Sequence, residues 1–341
     1  MRFKPRLKGL DKRGLILMKL GLMFMADQDV FTLAKIAKKI EDGGLEYLWL
    51  SDEDFNRDVY ISLTSMAIVT NKIRIGLGCT NPFTRHPITT AIAMATLNEF
   101  SKGRAVLALG SGSTYDLLNP LKIHVKNNVR ACREAIELIK AFLSGEEISF
   151  DGKFFKVDKA KISFKSDLIP VYLACRGPKM LKLAGEIADG VLLNGIPIEY
   201  VNFALERIKE GAKKSKRNLK NFEIVNAIAF AVSKNHEEAI KEAKKSLAFS
   251  IATTPDYVLE KVGMDSSKLE PLSKALPNLE KVSELITEEM VEKFSIAGSP
   301  EECIKRIEAF EKAGIKQLAL IISTSNLGMI DLICKRIVPC F

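Results

Sequence analysis

The sequence predicts an α/β chain folded as a (β/α)8 TIM barrel, and three observations carry that prediction. Eight short apolar runs alternate with longer amphipathic segments along most of the chain. The runs are continuously apolar rather than alternating, as parallel strands covered by helices on both faces are. No Gly-x-Gly-x-x-Gly opens the first unit, which disfavours an open doubly wound sheet and favours closure.

The elements follow in order. The first strand is 19–24, Lys19-Leu20-Gly21-Leu22-Met23-Phe24, and a helical period fits 29–42. The second strand, 46–51, contains Tyr47-Leu48-Trp49-Leu50 and precedes a helix at 58–69. The third strand, 73–79, precedes helix 87–100, and the fourth, 104–109, contains Val106-Leu107-Ala108-Leu109. In 126–143 the apolar residues Val129, Cys132, Ala135, Ile136, Ile139, Phe142 and Leu143 recur at spacings of three and four, one face of a helix. Strands at 170–175, 190–194, 224–232 and 316–322 alternate with helical patterns at 178–187, 198–215, 236–249, 299–313 and 326–337. The helix at 299–313 has a legible start: Ser299 as N-cap, Pro300 in the first turn and Glu302 completing a capping box, with Gly314 as the stop. Two stretches exceed what a barrel needs. Residues 146–166 predict a hairpin turning at Asp151-Gly152, with Phe150, Phe154, Phe155 and Val157 as its apolar positions. Residues 252–295 predict a helical insertion punctuated by Pro255, Gly263, Pro271 and Pro277. Both are expected to cover one barrel domain spanning 18–341.

Composition narrows the classes. The 341 residues are 47% hydrophobic and 27% charged, a balance that excludes disorder and a disulfide-stapled mini-protein. No run approaches the roughly 18 apolar residues of a membrane span, so no membrane partner is expected. Of the net charge of +9, the segment 1–17 supplies +5, through Arg2, Lys4, Arg6, Lys8, Lys12 and Arg13 against Asp11. That excess is a short basic arm, or the result of a start assigned ahead of Met18, and not a nucleic-acid-binding face. The six cysteines form no Cys-x-x-Cys pair, which removes zinc and thioredoxin-type readings and fits buried thiols in the cytoplasm. His86, His124 and His236 are scattered, and no Ser/His/Asp, His-x-x-x-His or Walker pattern occurs.

In such barrels the working residues lie at the C-terminal ends of the strands. The second strand ends Ser51-Asp52-Glu53-Asp54, which reads equally as a helix N-cap with first-turn acids or as functional carboxylates. The third ends Gly76-Leu77-Gly78-Cys79-Thr80-Asn81-Pro82, where two glycines mark a bulge or a close approach to the backbone. The fourth runs into Gly110-Ser111-Gly112-Ser113, small residues that leave space. The fifth runs Ala174-Cys175-Arg176-Gly177-Pro178-Lys179-Met180 straight into a helix. With Gly177 as N-cap, the N–H groups of Lys179 and Met180 are free, an arrangement suited to a phosphate as well as to an ordinary helix start.

In these residues the chain resembles the bacterial luciferase-like superfamily, and within it the deazaflavin-dependent methylenetetrahydromethanopterin reductases of methanogenic archaea. The resemblance runs from Met18 nearly to the C-terminus. Its more specific pieces are Asn71-Lys72-Ile73 leading to Gly78-Cys79-Thr80-Asn81-Pro82, Gly103-Arg104-Ala105-Val106-Leu107, Gly177-Pro178-Lys179-Met180 and Ala188-Asp189-Gly190-Val191. It implies a site for coenzyme F420, an 8-hydroxy-5-deazaflavin that carries hydride, and a cis Gly78–Cys79 bond behind its ring. It also implies that the loops Gly110-Ser111-Gly112 and Ala174–Met180 hold the cofactor chain and phosphate.

Three positions depart from the family pattern: Met23 and Ser113 stand where the family has acids, and Asp52-Glu53 where it usually has Asp-His. The cofactor half of the resemblance is therefore kept and the substrate half altered. The reading is an F420-dependent oxidoreductase acting on a small carbon compound, a tetrahydromethanopterin derivative being one candidate. Asp52 is expected to contact the cofactor and Glu53 to transfer a proton. The alternatives are an FMN-dependent monooxygenase on the same barrel and a non-catalytic deazaflavin-binding or partner subunit. A homodimer or higher homo-oligomer is expected in either case.

Overall fold

The computed structural model describes residues 18–53, 55–324 and 326–341, so the basic arm at 1–17 and Asp54 lie outside the described residues. Eleven strands occur among them: β1 Lys19–Met25, β2 Tyr47–Ser51, β3 Arg74–Thr80, β4 Ala105–Leu109, β5 Ile148–Asp151, β6 Lys156–Ala160, β7 Val171–Ala174, β8 Gly190–Asn194, β9 Glu223–Val232, β10 Ser295–Gly298 and β11 Gln317–Ile321. Eight of them close a parallel barrel in the order β1-β2-β3-β4-β7-β8-β9-β11, with β11 pairing back to β1. The predicted (β/α)8 architecture is present. β10 is an addition: it runs beside the overhanging end of β9, from Ser295 opposite Ala229 to Gly298 opposite Val232.

Burial explains the continuous apolar runs. Every residue of β2 and β4 is buried, because one face of each strand meets the barrel interior and the other meets the helices. Met23, Trp49, Ala108, Tyr172 and Leu192 meet inside the barrel, while Leu48, Leu50, Leu107 and Leu109 belong to the outer core against the helices. The Trp49 indole fills the interior and stacks on Tyr47 at 6.1 Å between ring centroids. This accounts for the paired glycines of β3. A Cβ on Gly78 would lie 2.6 Å from Trp49 Cε3, and one on Gly76 would overlap the same ring. Both expectations for this strand therefore apply at once: the glycines make room for an indole, and a bulge follows them. Gly78 pairs with Ala108 and Thr80 with Leu109, which leaves Cys79 as the extra residue.

The helices begin where side chains can take up free backbone N–H groups. Asp29, Asp58 and Asn127 cap the helices Val30–Asp42, Val59–Val69 and Asn128–Leu143, and Ser299 with Glu302 forms the expected capping box. The hairpin at β5–β6 is present but turns differently from the expectation. Asp151 pairs with Lys156, so the turn is the four residues 152–155 and not Asp151-Gly152. Its cause is non-local: the buried Glu134 carboxylate accepts from the N–H groups of Lys153 at 3.0 Å and Phe154 at 2.7 Å, drawing the turn onto its helix. The helical insertion is built from Asp256–Lys261, Glu270–Ala275, Leu279–Leu285 and Glu288–Phe294. The last predicted helix is α-helical only over Leu327–Leu332 and widens into a π-helical turn at Ile333–Ile337. No helix of the described residues is long and apolar enough to cross a membrane.

Candidate active site

The four unusual strand ends belong to neighbouring strands, β2, β3, β4 and β7, and hydrogen bonds knit them together. The Ser51 hydroxyl donates to the Gly78 carbonyl at 3.1 Å, and the Asp52 N–H to the Cys79 carbonyl at 3.2 Å. The Thr80 hydroxyl donates to Asp52 Oδ2 at 2.6 Å, and the Gly110 N–H to the Thr80 carbonyl at 2.8 Å. The Gly78–Cys79 peptide bond is cis, as the resemblance implies. A Cβ on Gly110 would lie 3.3 Å from Ala174 Cβ and 3.4 Å from Cys79 Sγ. Small groups from three consecutive strands thus meet at one point of the barrel mouth, leaving room above them for a flat molecule.

The electrostatics divide the acidic strand end. Burial pushes the Asp52 carboxyl above the ordinary aspartate range; Asp58 adds to the rise, and the Thr80 hydrogen bond and Arg85 oppose it. Burial also raises the Cys79 thiol, with the charges of Glu53 and Asp52 next in effect, so Cys79 stays a thiol at neutral pH. Cys175 is raised by burial too. Glu53 is partly exposed, and its carbonyl accepts from Asn56 Nδ2 at 3.4 Å. Neither Asp52 nor Glu53 caps the following helix, since Asp58 takes the N–H groups of Tyr60 and Ile61, both at 3.0 Å. The capping explanation of these acids is removed.

Asn81 is 1% exposed. Its Oδ1 accepts from the N–H groups of Phe83 at 2.9 Å and Thr84 at 3.0 Å, which fixes the orientation of the amide. Its Nδ2 has no hydrogen-bond partner. Gly112 closes over it in the left-handed region, φ +76, and a Cβ there would lie 3.1 Å from Asn81 Cβ. Ser111 and Gly112 are partly buried on the same loop. A buried donor without a partner beneath a glycine-rich loop suits a polar ligand group.

After β7, Gly177 is the N-cap of the helix Pro178–Ile187 and supplies no side-chain cap. Lys179 is exposed and Met180 partly buried. Sequence reasoning passed over Arg176 beside them. Its guanidinium reaches Ser250, Thr253 and Thr254, and its carbonyl accepts from the Tyr200 hydroxyl at 2.9 Å. The one available signal was an arginine among small residues at a strand end. Sequence reasoning also passed over His86, whose Nδ1 accepts from the Ile88 N–H at 3.2 Å and caps the helix Pro87–Phe100. Met23 faces the barrel interior beside Trp49.

With this geometry, the luciferase-like monooxygenase family pattern matches residues 15–317. The chain belongs to that family. It is 36% identical over 335 residues to the 5,10-methylenetetrahydromethanopterin reductase of Archaeoglobus fulgidus, covering 94% of this chain and 99% of that one. The enzyme of the same name from Methanolobus tindarius is also 36% identical, over 331 residues, covering 94% and 100%. Among solved structures, the coenzyme F420 dependent tetrahydromethanopterin reductase from Methanopyrus kandleri superposes with a TM-score of 0.86 at 32% identity, covering 95% of this chain and 99% of that one. The likeness extends over the whole barrel and both insertions, not only the strand ends.

Proposed function

We propose that this chain is a coenzyme F420-dependent oxidoreductase that moves hydride between the deazaflavin and a small carbon substrate, a tetrahydromethanopterin derivative. The observation that carries this reading is the meeting of Cys79, Gly110 and Ala174 at the mouth, beside an uncapped helix start at Gly177. The full-length likeness to methylenetetrahydromethanopterin reductases supports the deazaflavin over FMN. The cofactor supplies the hydride chemistry, and the chain supplies orientation and exclusion of water. The bulge at Gly78-Cys79 would back the ring, with Asp52 and Thr80 at its polar edge. Asn81 Nδ2 and the loop Gly110-Ser111-Gly112 would hold the chain of the cofactor. Ala174, Cys175 and the first turn Gly177-Pro178-Lys179-Met180 would seat its phosphate, through free N–H groups and the Lys179 charge. Glu53 is the candidate for holding or delivering a proton at the substrate.

A second copy of this chain is the partner that the surface supports. The helix Val59–Val69 is apolar on all sides, and Ile61 and Ile68 are each 65% exposed. Phe31, 77% exposed, lies on the adjacent helix, where the Val30 carbonyl accepts from Ser65. A homodimer through this face would cover all three. Six free thiols, none in a disulfide, support a cytoplasmic location. The hairpin and the helical insertion both pack on the barrel core, which supports one domain over 18–341.

The test is a titration of the protein with oxidised F420 and, separately, FMN, followed by absorbance and fluorescence. One F420 bound per chain, with FMN much weaker, is the expected result. Tighter FMN binding overturns the reading.

A further inference from the structure

We infer that Arg176 is a positioning residue that locks the turn leading into the Pro178–Ile187 helix, and with it the phosphate seat, to elements outside the barrel wall. The inference rests on the deazaflavin reading above. Arg176 Nη1 donates to the Ser250 carbonyl and to Thr254 Oγ1, both at 3.3 Å. Its Nη2 donates to the Thr253 carbonyl at 2.9 Å and to Thr253 Oγ1 at 3.4 Å. These acceptors form the C-terminal end of the helix His236–Ala252, where carbonyls lack intrahelical partners and the dipole is negative. Among the described residues no carboxylate pairs with Arg176, so its charge is met by this helix end and by hydroxyls.

A forked, planar donor set suits two rows of acceptors, a task a lysine ammonium cannot reproduce. The grip matters because of what surrounds it in the chain. Arg176 stands between Cys175, at the end of β7, and Gly177, the N-cap whose backbone no side chain restrains. Tyr200 ties down the Arg176 carbonyl at 2.9 Å. Tyr257, on the first helix of the insertion, has its hydroxyl 3.2 Å from where a Gly177 Cβ would stand. The turn is therefore held from the helices Ile198–Lys214, His236–Ala252 and Asp256–Lys261, and the N–H groups of Lys179 and Met180 inherit that orientation. Preorganised donors bind an anion better than donors that must be ordered on binding. The guanidinium, lacking a carboxylate partner, also adds positive potential beside the seat.

The experiment compares the affinity of F420 with that of its phosphate-free form, the same 8-hydroxy-5-deazaflavin with only its ribityl arm. Arg176→Gln is expected to weaken F420 by about 10–100-fold, leave the phosphate-free form within about twofold, and keep kcat at saturating F420. Equal weakening of both deazaflavins, or of neither, overturns the inference. Should Arg176→Gln fail to fold, Tyr200→Phe decides, because it releases the Arg176 carbonyl alone. It is expected to lose about 3–10-fold for F420 with the same selectivity, and an unchanged ratio overturns the inference. Unmodified protein that binds neither deazaflavin brings down the functional reading itself, an outcome distinct from binding whose phosphate preference survives the substitutions.

Discussion

The Thr80 hydroxyl donates to Asp52 Oδ2 across 2.6 Å, joining β3 to β2 where the chain leaves both strands. Burial nevertheless sets the net effect on Asp52, whose carboxyl is raised above its ordinary range. Ionising Asp52 therefore costs more in the folded protein than in the unfolded chain. Its contribution to stability is complete below the ordinary aspartate pKa of about 4 and is lost as pH rises through the raised folded value. Asp52→Asn keeps an acceptor for Thr80 and removes the charge. It is expected to melt above the unmodified protein at pH 7, with the gap closing toward pH 4, as thermal denaturation across pH will read. A variant that melts lower at pH 7 would mean that the Thr80 bond outweighs burial.

The pairing of Gly76 with Trp49 gives a second prediction. A Cβ at Gly76 overlaps a fully buried ring, so Gly76→Ala is expected to cost about 1–3 kcal/mol by overpacking. Trp49→Leu vacates that space at a cost of its own. In the double variant the alanine should then cost little, and urea denaturation of the four-member cycle measures the coupling. Additive losses would show that the alanine clashes with something other than the indole.

Legibility in the sequence follows the range of the cause. The barrel strands were readable to within about one residue at each end, because double-sided burial is written locally as a continuous apolar run. The meeting of Asp52, Cys79, Thr80 and Gly110 was anticipated only as strand ends of one barrel, and their contacts required the ring order β2-β3-β4. What escaped was set at a distance. The glycines of β3 answer to Trp49 on another strand, and the hairpin turn answers to Glu134, 19 residues from Lys153. Arg176 finds its acceptors 74 to 78 residues further along the chain, and no local pattern announces them.

Glu134 offers a test of such a distant cause. Burial raises its carboxyl, but Arg130 and the N–H groups of Phe154 and Lys153 lower it further, so the net shift is downward. The stability it confers is present above the ordinary glutamate pKa of about 4.3 and fades as pH falls through the depressed folded value. Glu134→Ala leaves two backbone donors unmet and is expected to cost about 1–3 kcal/mol at pH 7, less at pH 3. Hydrogen exchange should show the loss first at Lys153 and Phe154. Exchange unchanged there would mean the turn is held by Phe155 packing instead.

The last prediction concerns proton handling at the substrate. Met23 faces the barrel interior beside Trp49 and Ile321, and a thioether can neither donate a proton nor pair with a cationic intermediate. Glu53 is a carboxylate at the same mouth, partly exposed and close enough to Cys79 for its charge to raise that thiol. If proton transfer accompanies hydride transfer, Glu53 must supply it. Glu53→Gln should then lower kcat by about 10²–10⁴-fold with methylenetetrahydromethanopterin as substrate. F420 affinity should change by less than about threefold, since the role assigned to Glu53 is at the substrate. Met23→Glu tests the converse. Placed among Val106, Ala108 and Leu192 it is expected to destabilise the barrel by about 2 kcal/mol or more, yet to restore part of the turnover lost in Glu53→Gln. Steady-state kinetics of the two single variants and the double variant resolve the matter. Full activity in Glu53→Gln removes Glu53 from the reaction. No turnover in the unmodified protein, with stoichiometric F420 binding, makes it a deazaflavin-binding subunit whose missing carboxylate at position 23 is the reason.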